Sequence, residues 1–321
     1  MKLTGIRQMA LFDAPDPAIH RPTDVLVKMG AVGVCGSDVH YYTTGRIGSQ
    51  VVEYPFTVGH ECAGTVVEIG AEVSEVKPGD RVAIEPGVAC GDCDQCRGGR
   101  ENTCRRHRFL GCPGPAEGAL SEYLVMPQEC CFAISDEVGF GAATISEPLA
   151  IGIYAVGQSI PMPGAKVGIL GLGPIGRTVL LPAVADGCEV VYATDRVDVR
   201  CAAGRVAGAT WVGNPDRDDV VAQILNQEPL GLDVVFECCG QQAALDQAVE
   251  LLRPGGKLMI VGIPETERIS FDPDKLRRKE LAVVHVRRQR GCVTAALDMV
   301  GRHPSQIDAL ITHRAPFAES Q

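Results

Sequence analysis

KVGILGLGPIGRTVLLPAVADGCEVVYATD, residues 166–195, decides the fold of this chain. KVGILG (166–171) is a short apolar run of strand type, and Pro174–Ala185 has the apolar spacing of a helix. EVVYAT (189–194) is a second strand-like run. Between strand and helix, Gly171, Leu172, Gly173, Pro174, Ile175 and Gly176 fit G-x-G-x-x-G. The pattern gains meaning because it follows a strand and opens a helix. The first glycine makes a tight turn, the second lets backbone approach a pyrophosphate, and the third lets helix and strand pack closely. The helix start then offers free N–H groups and a positive dipole end to phosphates. Asp195 ends the next strand, 19 residues past Gly176. A carboxylate there accepts hydrogen bonds from ribose hydroxyls and repels a 2′-phosphate, so the expected cofactor is NAD rather than NADP. Arg200 completes the candidate cofactor set, and Arg196 weakens the expectation of strict NAD preference. Pro182 is expected to kink or shorten the helix, because it has no N–H to give.

The same alternation continues downstream. DVVFEC (233–238) reads as a strand, 241–252 as a helix, RPGG (253–256) as a turn, and KLMIVG (257–262) as a strand. Strands alternating with helices imply a doubly wound parallel sheet. Upstream, residues 1–150 are β-like and turn-rich: Val25–Lys28 and Gly64–Ile69 are short β-branched runs, and VKPGDRVAI (76–84) is a turn leading into a strand. The fold class is therefore α/β with a β-rich first domain.

Composition narrows the function. Of 321 residues, 45% are apolar and 22% charged, ordinary for a globular protein. Lys and Arg number 30 against 40 Asp and Glu, a formal charge of −10 that leaves no electrostatic footprint for nucleic acid. The basic runs LRRKE (276–280) and VRRQR (286–290) read as solvated faces. No run reaches 18 consecutive apolar residues, and no stretch of signal-peptide length precedes Asp13 and Pro15. A cytoplasmic protein without membrane partners is expected. In a reducing compartment, 14 cysteines point to metal binding or thiol chemistry before disulfides.

CGDCDQCRGGRENTC (90–104) places Cys90, Cys93, Cys96 and Cys104 as C-x2-C-x2-C-x7-C. Four thiolates at this spacing can close a tetrahedron around zinc with no open position, the mark of a structural site. An iron–sulfur cluster competes through the first three spacings, but the last gap differs from the usual C-x3-C-P run. A second, open site is suggested by Cys35 in GVCGSDVHYY (33–42) and His60 in GHECAG (59–64). A thiolate and an imidazole supply half of a catalytic zinc site, and Glu147 in ISEPLAIG (145–152) is a candidate carboxylate for it. Singly, each of these residues reads more simply as a core or capping group.

GVCGSD, GHE with Gly64, VKPGDRVAIEPG (76–87), the cysteine lobe, the EPL segment and GLGPIG occur in this order in the zinc-dependent medium-chain dehydrogenases, which the chain resembles from about residue 5 to its end. VCGSDVHYYTTGRIG (34–48), SEPLAIGIYA (146–155) and ITHRAP (311–316) resemble the polyol branch: sorbitol, L-iditol and xylitol dehydrogenases. The resemblance implies a GroES-like catalytic domain over 1–150 with a structural-zinc lobe at about 88–106. It implies a Rossmann domain over 151–290 and a return segment over 291–321 that stops short of the family's closing helix and strand. It further implies catalytic and structural zinc, NAD, a polyol substrate and a homo-oligomer, dimer or tetramer. Cys35, His60 and Glu61 become the implied zinc ligands, with Glu147 near the metal or exchanging onto it. Ser37 is implied as a proton relay, Tyr41 and Phe109 as pocket walls, and Arg288 as a holder of a substrate hydroxyl. The implied reaction oxidises a secondary hydroxyl to a ketose. Alternatives are an alcohol or amino-alcohol dehydrogenase of the same superfamily, or a binding protein that keeps zinc and NAD without turnover. A zinc-free enone reductase of this fold would lack Cys35 and His60.

Overall fold

A computed structural model describes residues 1–114 and 116–321. The chain divides into two compact units, Met1–Glu147 with Val293–Gln321, and Pro148–Cys292. The division falls inside the helix Ser146–Gly157, directly after Glu147.

The second unit is built on six parallel strands. Their spatial order is Trp211–Gly213, Val190–Thr194, Lys166–Leu170, Leu232–Glu237, Leu252–Ile260, Ala282–His285. The central strands are apolar at nearly every position because helices cover both faces. Side chains alternate between those faces. Val167, Ile169, Val191, Ala193, Val234 and Phe236 pack with Val179, Leu180 and Ala183 of the helix Pro174–Ala185. Leu170, Tyr192, Leu232, Val235 and Leu258 pack on the other face with Leu245, Ala248 and Leu251 of the helix Gln242–Leu251. Strand order reverses between Lys166–Leu170 and Leu232–Glu237, and the glycine loop leaves the carboxyl end of the first of these. Such a reversal opens the crevice in which sheets of this kind bind ligands.

Pro182 does not shorten its helix, which runs unbroken from Pro174 to Ala185. The carbonyl of Thr178, which Pro182 cannot engage, lies instead against Gly152 of the helix Ser146–Gly157, where no Cβ would fit. Tertiary packing accommodates the lost helical bond that the sequence marks as a defect.

The first unit holds a five-stranded antiparallel sheet, in the order Tyr123–Pro127, Asp24–Gly33, Glu61–Ile69, Arg81–Ile84, Cys131–Ala133. Val25, Val27, Cys62, Val66, Val82, Ile84, Leu124 and Met126 form its core. The helix Gly36–Thr44 follows the second of these strands and ends at Gly45 in the left-handed conformation. One helical stretch among the described residues, Phe140–Gly157, is by length and composition long and apolar enough to cross a membrane. It is 56% buried and carries Glu147, so it is a core element of this fold.

Candidate active site and metal centres

Cys35 caps the helix Gly36–Thr44 from its N-terminal side, while His60 immediately precedes the strand Glu61–Ile69 and Glu61 begins it. Antiparallel register sets Glu61 opposite Gly33, two residues before Cys35. A Cβ at position 33 would run into the Glu61 carboxylate, so glycine there leaves the carboxylate its place in the cluster. The result is a cluster: donor atoms of Cys35, His60 and Glu61 all lie within 4.8 Å of one another. His60 and Glu61 are buried and Cys35 is partly so.

Asp38 organises the cluster, a role that the reading of the sequence missed. Its carboxylate accepts from Cys35 N at 3.0 Å and from Gly59 N at 3.0 Å, tying the two ligand-bearing segments together. One oxygen stands 3.6 Å from His60 Nδ1, which has no hydrogen-bond partner. The signal was present in the sequence: an acid at the third helical position after the capping residue is a capping-box feature.

The electrostatics favour a cation. Burial pushes the Cys35 thiol up and lifts the Glu61 carboxyl to about 7. Burial opposes charging His60, yet contacts with Asp38 and Cys35 raise its pKa well above the ordinary value. The buried Cys35 thiol and Glu61 carboxyl resist ionising by themselves, while His60 draws in a positive charge, and a divalent cation meets both needs. A mixed sulfur, nitrogen and oxygen donor set suits zinc, and three protein donors leave a position open.

The other expected site residues fall into groups. Glu147 is buried in the first turn of its helix and lies outside the three-donor cluster, though its charge acts on Cys35 and His60. Phe109 is buried with its ring 5.4 Å from the His60 ring and stacked at 6.0 Å on His107. Ser37 sits half-buried in the first turn after Cys35. Tyr41, 1% exposed, packs in a separate cluster with Leu3, Val52, Phe56 and Val58, its ring edge-on to Phe56 at 5.9 Å. Arg288 belongs to the second unit and adopts a left-handed backbone with φ +52°.

In the lobe, Sγ of Cys93 lies 3.5 Å from that of Cys96 and 3.9 Å from that of Cys104, and Cys90 and Cys96 are 3.9 Å apart. A tetrahedron with zinc–sulfur bonds of about 2.3 Å has edges of about 3.8 Å, so the four sulfurs fit the ion. Backbone N–H groups of Cys90 and Arg106 point at Cys104 Sγ, and that of Cys96 at Cys93 Sγ. Such donors, from Arg105 and Cys96, hold the Cys93 thiol down at about 6. All 14 cysteines are free, which leaves no disulfide among the described residues.

In the second unit, a Cβ at Gly176 would strike the carbonyl of Gly171, as the close strand–helix packing of this loop demands. Gly173 precedes Pro174 at the helix start, with Ile175 next. Asp195 is 8% exposed; one carboxylate oxygen accepts from Leu172 N at 2.8 Å and the other from Val197 N at 2.8 Å. It is thereby held against the glycine loop, with Arg200 Nη1 3.8 Å away. Arg196 is engaged by Asp216 at 2.8 Å.

Residues 21–136 match the alcohol dehydrogenase GroES-like domain, and residues 174–302 match the zinc-binding dehydrogenase family. A sorbitol dehydrogenase of Bacillus subtilis is 36% identical over 98% of this chain and 89% of its own length. An L-idonate 5-dehydrogenase of Vitis vinifera is 36% identical over 99% of this chain and 87% of its own. Among solved structures, a Sinorhizobium meliloti protein crystallised with NADP superposes with a TM-score of 0.91 at 31% identity, covering 99% of this chain and 92% of the other.

Proposed function

We infer the activity from one premise: the chain belongs to the zinc-dependent medium-chain alcohol dehydrogenases, in their polyol branch. It oxidises a secondary hydroxyl of a sugar alcohol of the sorbitol, xylitol or L-iditol type to a ketose, with hydride passing to NAD. The observation that carries this reading is the buried Cys35, His60 and Glu61 cluster, in which a carboxylate directly follows the imidazole.

Zinc held there would supply Lewis acidity toward the substrate hydroxyl, and the nicotinamide a hydride acceptor. Asp38 fixes the backbone on either side of the cluster, at Cys35 and Gly59, and sets its negative charge beside His60. Ser37 Oγ takes the hydroxyl proton and passes it outward. Glu147 offers its carboxylate to the substrate side of the cluster, where a polyol presents a second hydroxyl that a simple alcohol lacks. Phe109 walls the site beside His60. Tyr41 supports the helix that starts at Cys35 from within its core. The Asp195 carboxylate, held beside the glycine loop, would accept from ribose hydroxyls and disfavour a 2′-phosphate, so NAD is the preferred cofactor. The Rossmann-domain edge strand Ala282–His285 is open to pairing in a dimer or tetramer.

Absorbance at 340 nm with NAD and a panel of sorbitol, xylitol, L-iditol, butanediols and ethanol tests the reading. Turnover is expected with C5 or C6 polyols; good oxidation of ethanol with none of any polyol contradicts it. A higher kcat/KM with NADP than with NAD contradicts the cofactor assignment, which Asp195→Ala should weaken by narrowing the gap.

A further inference from the structure

Glu237 ends the central strand Leu232–Glu237 and has no exposed surface. One of its carboxylate oxygens accepts from the backbone N–H of Cys239 at 2.8 Å and of Gly240 at 2.6 Å. Its own backbone carbonyl accepts from Val261 N at 2.8 Å and Gly262 N at 2.9 Å. The second carboxylate oxygen has no hydrogen-bond partner. A Cβ on Gly262 would lie 2.8 Å from that oxygen, so only glycine leaves it room. One acidic residue thus fastens the loops leaving two neighbouring parallel strands.

The fastened loop meets a third. Cys238 N donates to Leu170 O at 2.8 Å, and a Cβ on Gly171 would lie 2.9 Å from Cys239 Cβ and 3.2 Å from Cys239 N. Gly240, at φ +70°, presses on the carbonyl of Ile263, where a larger residue would not fit. The loops after Leu170, Glu237 and Ile260 therefore interlock at the carboxyl ends of three adjacent strands, across the point where strand order reverses. In such sheets this is where dinucleotides bind.

A buried carboxyl group with one oxygen unmet is costly, and burial of that kind usually has a reason. Two converging N–H groups require an acceptor, and a carboxylate accepts both more strongly than a neutral amide does. We propose that Glu237 is a positioning residue for the dinucleotide: by clamping Cys239 and Gly240 it fixes the surface against which the first glycine of the phosphate loop closes. The proposal rests on the reading of this crevice as a dinucleotide site. It assigns to an acid that no motif marks the shape of the loop that Gly171 packs on.

The test uses NADH binding followed by fluorescence, without polyol, so it is independent of the substrate assignment. Glu237→Gln keeps the shape and weakens the clamp; its Kd for NADH should rise about tenfold. Glu237→Asp, which keeps the charge but shortens the reach, should weaken binding at least as much. The KM for NAD should rise in both while the KM for polyol and the zinc content stay unchanged. A merely structural role would lower thermal stability and the active fraction without moving Kd. Where a variant fails to fold, amide hydrogen exchange on the wild type decides: Cys239 and Gly240 should be protected without nucleotide and more so with NADH. Unchanged Kd in folded variants, or fast exchange at both amides that NADH leaves alone, overturns the proposal. A wild type that binds no NADH overturns both the proposal and the reading of the crevice.

Discussion

The four sulfurs of the lobe come from one short loop, Cys90–Cys104, whereas Cys35, His60 and Glu61 are brought together by a helix start and a sheet register. The lobe's donors are alike and already match a closed tetrahedron, and they are ringed by exposed pairs such as Arg105 with Asp94 at 2.5 Å. Those exposed pairs contribute little to stability. The second cluster is unlike in its donors and more deeply buried, and its thiol and carboxyl resist ionising. Local turns are enough to build a site whose work is to hold a fold. A site whose work is chemistry needs the tertiary structure to force costly groups together and leave one position open.

The contrast makes a graded set of predictions for turnover per folded molecule. Cys35→Ser removes a proposed donor of the open site and should cost about 10³-fold or more, the scale of several kcal/mol of lost Lewis-acid stabilisation. Zinc analysis should then find the lobe's ion retained; turnover within tenfold of wild type would break the assignment. Glu147→Gln keeps shape and removes charge, and should lower turnover by roughly 10- to 100-fold with most of the open-site zinc still bound. Unchanged turnover would leave Glu147 as a charge at a helix N-terminus, stabilised by the dipole. Asp38→Asn should cost about tenfold, with weaker zinc retention at the open site, because it removes the charge beside His60 and weakens the bonds from Cys35 N and Gly59 N. Equal zinc affinity in wild type and variant would remove Asp38 from the account. Cys104→Ser should have the smallest effect on turnover, within about twofold per folded molecule, while thermal melting and yield fall because metal binding there is folding energy. Loss of turnover in a variant that melts like the wild type would erase the distinction between the sites.

What was legible in the sequence follows the same division. The glycine loop, its strand and helix, and the cysteine lobe are local patterns, and residues 166–195 and 90–104 give them directly. The pairing of Gly33 with Glu61 depends on strand register, which no local pattern carries. Asp38 was visible as a capping acid, but its reach to Gly59 and His60 was not. Glu237 lies in DVVFEC, a run that shows only a strand, and the converging loops reveal what it holds. Pro182 misled for the matching reason: the helix survives because a neighbouring helix presents Gly152 to the carbonyl that proline leaves free. Tyr41 belongs to a packing cluster whose members span Leu3 to Val58, a grouping that sequence spacing does not disclose.

Timed chelation of the purified protein tests the central claim that the chain holds two zinc ions with separate work. Zinc release, NADH formation at 340 nm with a polyol, and near-ultraviolet circular dichroism are followed together. The account predicts two zinc ions per folded chain. The first to leave should come from the open site and abolish turnover with the fold intact, and the second should leave together with the structure of the lobe. A single zinc per chain, iron in the lobe, or full turnover after the first ion has gone would contradict it.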